Sequence, residues 1–292
     1  MPAILALLVA TTVWGSTFVV TKQSLGTMSP ASFLVWRFGL AAVVLALARP
    51  AALARLSAAD RARAGALGIA LGAGFLLQTA GLQHALAGVS GFLTGASVVL
   101  TPIVAALAFR AEIGGPGWAG VALAAVGLGL LAGGVPQHSW LGSILTLAGA
   151  LGFACHITGL SQWATPENAV GVTTASVGVA AVLCALVAVP TGGIDAPPDA
   201  SSWRAIAYLA LAATCAGFVI QAWAQSALSA STAAVVMTTE PLFAALLATA
   251  AGERGLGVAG WAGGVVVVAA MFLAEFGPRR CCDALSPRVE CC

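Results

Sequence analysis

Ten apolar runs, each about a bilayer in length, follow one another along this chain, and that succession leaves it few ways to fold. They fall at 3–21, 31–48, 64–83, 89–109, 117–135, 140–160, 169–190, 203–224, 231–251 and 256–276. A helix of about 20 apolar residues crosses a hydrocarbon core about 30 Å thick. The connections are short, and most carry Pro, Gly, Ser or charge: GTMSP, the GGPG after Glu112, VPQHS and TGGIDAPPDASS. Nothing remains for a separate soluble domain. Membrane β-strands alternate in polarity with period two, whereas these runs are continuous. The charges agree, since only 8% of the 292 residues are charged and the mean hydropathy is +1.00. A soluble domain carries about a quarter, so this chain could not coat a globule in water. The expected fold is an all-α integral membrane protein with ten transmembrane helices.

The first run, MPAILALLVATTVWGSTFVV, has no basic n-region and no convincing A-x-A cleavage site, so it reads as a retained span. With the N-terminus inside, the inner connections hold Arg49, Arg55, Arg61, Arg63, Arg110, Arg279, Arg280 and Arg288, and the outer ones only Lys22, Arg204 and Arg254. Eight against three fits the positive-inside rule. It places both termini of a multi-pass protein on the cytoplasmic side of the cell (inner) membrane. The twelfth basic residue, Arg37, lies within the second run. A net charge of +2 gives no reason to expect nucleic acid. Of seven cysteines, Cys155, Cys184 and Cys215 sit in apolar runs as small hydrophobes, while Cys281, Cys282, Cys291 and Cys292 lie in a polar tail. Their CC-x8-CC spacing matches no zinc pattern, and no metal or organic cofactor is expected.

Two pieces of the chain recur. Thr101-Pro102-Ile103-Val104-Ala105-Ala106-Leu107 reappears as Glu240-Pro241-Leu242-Phe243-Ala244-Ala245-Leu246, at an offset of 241 − 102 = 139. Gly117-Trp118-Ala119-Gly120 returns as Gly260-Trp261-Ala262-Gly263, at an offset of 143. The same 139 carries Trp14 onto Phe153. The chain therefore reads as two copies of one five-helix unit, 1–136 and 137–277, followed by a tail at 278–292. Five is odd, so the second copy enters the membrane from the opposite face. Inverted repeats of this kind are typical of secondary transporters, with the substrate held near the midplane between the halves.

Two residues break the apolar pattern. A charge in hydrocarbon costs several kcal/mol by order of magnitude, and Arg37 and Glu240 are the clearest charges deep in the runs. At 1.5 Å per residue, Arg37 lies about 9 Å and Glu240 about 16 Å below the outer end of its run. That gap of ~7 Å is one a long arginine side chain and a modest tilt can close. Their repeat counterparts are Ser176 and Thr101, so each charge stands on one half of a scaffold otherwise shared. The expectation is that Arg37 and Glu240 face a central cavity and pair when it is empty, exchanging with a substrate's own carboxylate or amine. A permanent ion pair locking the halves is the structural alternative. Glu240 is also a candidate for proton coupling, which nothing in the sequence requires. A homodimer is compatible with the chain and is not dictated by it.

The motifs resemble a known family. Trp14-Gly15-Ser16-Thr17-Phe18, Trp36-Arg37-Phe38, Ser90-Gly91-Phe92-Leu93-Thr94-Gly95 with Val98 to Pro102, Glu240 to Leu246, and Gly252-Glu253-Arg254 occur in the order and spacing of the drug/metabolite transporter superfamily. Within it, the chain is similar to the EamA-type ten-span members. That resemblance implies alternating access and the export, less often the import, of a small metabolite, amino-acid-like or amphiphilic. It also singles out Trp14, Ser16 and Phe18 as cavity residues, with plain core packing as the alternative. Thr94 joins them, although its Gly91-x3-Gly95 setting by itself supports helix contact. Gln78 and Gln221 are mid-span amides that need partners, and His156 is either a bundle histidine or a ligand contact. The sixth run departs from the family in having Phe153-Ala154-Cys155-His156 where a tryptophan is common, and the Cys-containing tail has no counterpart.

Two other classes have some support in the sequence. Gly88-Val89-Ser90-Gly91 matches the GxSG of rhomboid intramembrane serine proteases, and His156 could supply the histidine. Depth counts against it, since Ser90 lies ~3 Å and His156 ~24 Å from the outer face. Aspartyl proteolysis fails because Asp60, Asp195, Asp199 and Asp283 fall outside the runs. A passive channel or a non-transporting scaffold predicts a continuous pore, or no polar pocket at all.

Overall fold

Several helix starts are set by one polar side chain each. Ser29, Ser57, Ser139 and Asp199 accept hydrogen bonds from the backbone N–H of Ser32, Asp60, Gly142 and Ser202, satisfying donors that a helix start leaves unpaired. The bonds from Ser202 hold the Asp199 carboxyl below the usual carboxylate range. The computed structural model describes residues 2–110, 114–133, 139–165, 167–227, 236–253 and 256–276. The cysteine tail, Glu112, Arg254 and residues 228–235 lie outside these.

The helices are α1 Pro2–Ser24, α2 Pro30–Ala48, the short α3 Pro50–Ala54, α4 Ala58–His84, α5 Ala87–Phe109 and α6 Gly115–Gly133. Then come α7 Trp140–Trp163, α8 Ala169–Ala188, α9 Ala200–Tyr208, a π-helix Leu209–Ala216, α10 Gly217–Ala227, α11 Glu240–Ala250 and α12 Val258–Phe276. The described residues contain no strand. Seven segments are long and apolar enough to cross a membrane: α1, α2, α4, α5, α7, α8 with its 3-10 extension to Thr191, and α9 running through the π-helix into α10. Gly115–Leu131, Glu240–Ala250 and Val258–Leu273 are shorter apolar helices. Large side chains such as Leu47, Leu107 and Val258 point outward, as lipid-facing residues do.

The most extensive interface is α6 on α12, followed by α4 on α7 and α8, α5 on α7, and α2 on α8. Further contacts join α1 to α11 and to the π-helix and α10, and α5 to α11. Small residues allow this closeness. A Cβ on Gly263 would stand 2.4 Å from the Leu131 nitrogen, and one on Gly149 would stand 2.7 Å from the Gly74 carbonyl oxygen. The largest apolar cluster gathers Phe33, Leu34 and Phe38 of α2 with Leu71 of α4, Phe153 of α7, Val177 and Cys184 of α8, and Ile206, Leu209 and Cys215 around the π-helix.

The two repeated prolines are used differently. Pro102 lies inside α5, whereas Pro241 stands in the first turn of α11, where its missing N–H costs nothing. Ahead of α11 the chain is helical at Val236–Met237 and turns at Thr238–Thr239. This corrects the expectation of one helix over 231–251 with Glu240 near its middle. Glu240 instead opens a helix, at the end whose dipole favours a carboxylate.

Candidate functional site

Among the sequence-selected residues, three converge on the π-helical span. The indole Nε1 of Trp14 donates to the Ala213 carbonyl at 2.8 Å, and its ring lies 6.2 Å from that of Phe218. Ser16 shares a hydrogen bond of 2.7 Å with the Tyr208 hydroxyl. Arg37 Nε donates to Thr214 Oγ1 at 3.3 Å, and Thr214 Oγ1 donates in turn to Leu209 O at 2.9 Å. An i→i+5 helix is wider than an α-helix and turns up frequently at functional sites. Here it presents one carbonyl to α1 and one hydroxyl to α2.

Arg37 is 4% exposed, with its guanidinium 4.7 Å from the centroid of Phe75 and 5.4 Å from that of Phe38. The expected pairing with Glu240 is not formed. Ion pairs form instead at Lys22–Glu253 and Arg63–Asp60. The reason is lateral. Arg37 packs within α2, α4 and the π-helix, while Glu240 begins α11 beside α1 and α5. No hydrogen bond links the Glu240 carboxylate to a described residue. Every fully enclosed side-chain nitrogen or oxygen in the described part has a partner. The terminal nitrogens of Arg37 and the Glu240 oxygens, which have none, are therefore not fully enclosed.

The remaining candidates divide between polar bridges and packing. Gln78 Nε2 donates to Thr94 Oγ1 at 2.8 Å, joining α4 to α5 as a buried pair. Gln221 Nε2 reaches Met237 Sδ at 3.8 Å. His156 Nδ1 lies 3.0 Å from Leu67 O, tying α7 to α4 as a partnered bundle histidine. Phe18 packs in a cluster with Leu82, Ala87, Ala244 and Ala248. The glycines around Thr94 seat α11: a Cβ on Gly91 would fall 2.4 Å from Ala244 Cβ, and one on Gly95 would fall 2.8 Å from Pro241 Cγ.

The residues missed in the sequence are Thr214 and Phe75, which contact Arg37, and Glu253, which the motif quoted without a role. Glu253 accepts the backbone N–H of Ala87 at 2.9 Å and of Gly88 at 3.2 Å, and pairs with Lys22 at 3.3 Å. Lys22 also donates to Ala85 O. The start of α5 is thus capped from the far end of α11. Ser90, in contrast, bonds Thr146 at 3.5 Å, and Thr146 stands ten residues before His156 on α7. Ten residues of helix are about 15 Å, so the serine and histidine do not meet.

A multi-helix membrane protein with isolated charges between its helices is the class that this fold and site define. The chain belongs to the EamA-like transporter family, whose description matches residues 1–133 and 139–276. It is 31% identical over 246 residues to an uncharacterized transporter of Archaeoglobus fulgidus, covering 84% of this chain and 77% of that protein. A solved crystal structure superposes with a TM-score of 0.62 at 19% identity, covering 94% of this chain and 96% of its own, a likeness of fold alone. The chain is a membrane transporter, with a bilayer and a small molecule as its partners.

Proposed function

We propose that this transporter moves a small amphiphilic, amino-acid-like metabolite outward across the cytoplasmic membrane by alternating access. In this reading ten spans form two inverted halves, 1–136 and 137–277, with α9, the π-helix and α10 as a single span and both termini cytoplasmic. The central cavity is bordered by Trp14, Ser16, Arg37, Gln78, Thr94, Gln221 and Glu240, with Phe18 and His156 in the wall behind. The observation that carries the reading is the pair of deep, separated charges: Arg37 and Glu240 lie between helices, neither fully enclosed nor matched by an opposite charge. Transport chemistry gives them a use that a scaffold does not.

The packing supports two related halves. Exchange each span with its counterpart 139 residues away, and α4 on α7 becomes the π-helical span on α1, α5 on α7 becomes α11 on α1, and α4 on α8 becomes that same π-helical span on α2. All of these pairs occur, while α6 on α12, α2 on α8 and α5 on α11 map onto themselves. The separation of Ser90 from His156 speaks for a transporter over a protease. A metabolite screen in inverted vesicles, with and without a pH gradient, tests substrate, direction and any proton coupling through Glu240. In the same vesicles Glu240→Gln is expected to lower the rate at least tenfold while inserting normally. Normal transport by a correctly inserted Glu240→Gln protein sinks this reading.

A further inference from the structure

We propose that the space at Arg37 is a carboxylate subsite for a monoanion with a flat apolar body, and that a ligand amine is not needed for recognition there. The inference rests on the reading above that Arg37 borders the substrate cavity. An arginine stays charged at any working pH, and burying it without a counter-ion is costly. No carboxylate among the described residues pairs with Arg37. Phe38 and Phe75 attract the guanidinium through their faces and bring no negative charge to it. A single negative charge is what balances the site. A dianionic phosphate would leave one charge uncompensated.

Geometry narrows the ligand further. Thr214 takes Nε and fixes the guanidinium plane, leaving the two terminal nitrogens as an end-on fork. Two parallel N–H groups match the two oxygens of a carboxylate, the bidentate arrangement arginine makes best. The floor beneath is aromatic. Phe75 stacks edge-to-face on Phe38 and on Phe153, with centroids 4.9 Å apart in both pairs. A planar apolar group attached to the carboxylate would lie against Phe75, which is only partly buried, with Phe38 fully buried behind it. The wall draws on both halves of the chain, with Arg37 and Phe75 from the first and Phe153 and Thr214 from the second. Anion binding would therefore hold the halves together on that side.

The test is equilibrium binding to the purified full chain in detergent, using 3-phenylpropionate, its methyl ester and phenethylamine as probes. A charge-assisted pair lost from a dry site costs about tenfold or more in affinity. The acid should bind at least tenfold more tightly than either the ester or the amine. Arg37→Gln should erase that difference, lowering the acid's affinity far more than the ester's. Equal binding of acid and ester by the unmodified chain overturns the subsite, as does no binding of the acid, or a preference that survives in Arg37→Gln. The first comparison needs no variant, so a misfolded mutant cannot obscure it. Proteoliposomes separate this inference from the one it rests on. Acid that binds with the expected preference but is not moved counts against the transport reading and leaves the subsite standing. Transport of the acid by Arg37→Gln at the rate of the unmodified chain does the reverse.

Discussion

At Gly15 there is no room for a side chain. A Cβ there would stand 2.6 Å from Phe243 Cβ and 2.8 Å from the Ala244 nitrogen, so this glycine lets α1 lie against α11 while Trp14 and Ser16 reach the other way. Overpacking of this kind costs about 1–3 kcal/mol, and Gly15→Ala is expected to lower the melting temperature in detergent with the side chains of Trp14 and Ser16 intact. An unchanged melting temperature would show that α1 and α11 are not pressed together. The Trp14-Gly15-Ser16 motif was plain in the sequence, but its division of labour was not, because a motif does not tell which neighbour each side chain meets. Arg37 and Glu240 were legible for the opposite reason: a charge in an apolar run needs no neighbour to be conspicuous. What failed was their pairing. Counting residues gives depth along a helix and says nothing of the direction in which the side chain leaves it. Thr214 drew no notice, since a threonine among alanines passes for a tolerated small residue.

The boundaries of most helices agreed with the apolar runs to within a few residues, as at 89–109 against Ala87–Phe109. Two elements departed. The π-helix Leu209–Ala216 contains neither proline nor glycine, the usual marks of irregularity, so nothing in LALAATCA announces it. The turn before Glu240 was hidden by the apolar continuity of 231–251, a run that carries Glu240 and Pro241 near its middle. The cap on α5 is likewise a contact made between distant segments. Glu253 satisfies two backbone donors while paired with a lysine, both side chains partly shielded from water. Loss of a cap costs about 1 kcal/mol. Glu253→Ala should therefore speed amide exchange at Ala87 and Gly88 about fivefold, and Glu253→Gln, which keeps one acceptor, should do so less. If both variants exchange at the parental rate, the capping bonds contribute nothing to stability.

At the scale of the molecule, the proposed inversion of the two halves can be tested at matched positions. Asp60 and Asp199 both stand at the start of a span, and 199 − 60 = 139, the offset of the repeated proline motif. Inversion places them on opposite faces of the membrane. Their exposed neighbours Arg61 and Ala200 share the offset and make convenient reporters. In a cysteine-free background, Arg61→Cys should react with an impermeant maleimide from the cytoplasmic side and Ala200→Cys from outside. Labelling of both from one side contradicts the inverted arrangement.

The π-helix carries a mechanical consequence. With bonds five residues apart it holds more residues per turn than the α-helices at either end, so it is wound differently from both. Tightening it to α geometry would rotate everything beyond Gly217 about the axis and swing the Thr214 hydroxyl away from Arg37. Because α1 is bonded to the span at Tyr208 and at Ala213, that rotation would either break those two hydrogen bonds or draw α1, and through Gly15 also α11, along with it. The segment is geared as a screw, and torsion about the span, more than bending of it, is the motion that would disengage the arginine.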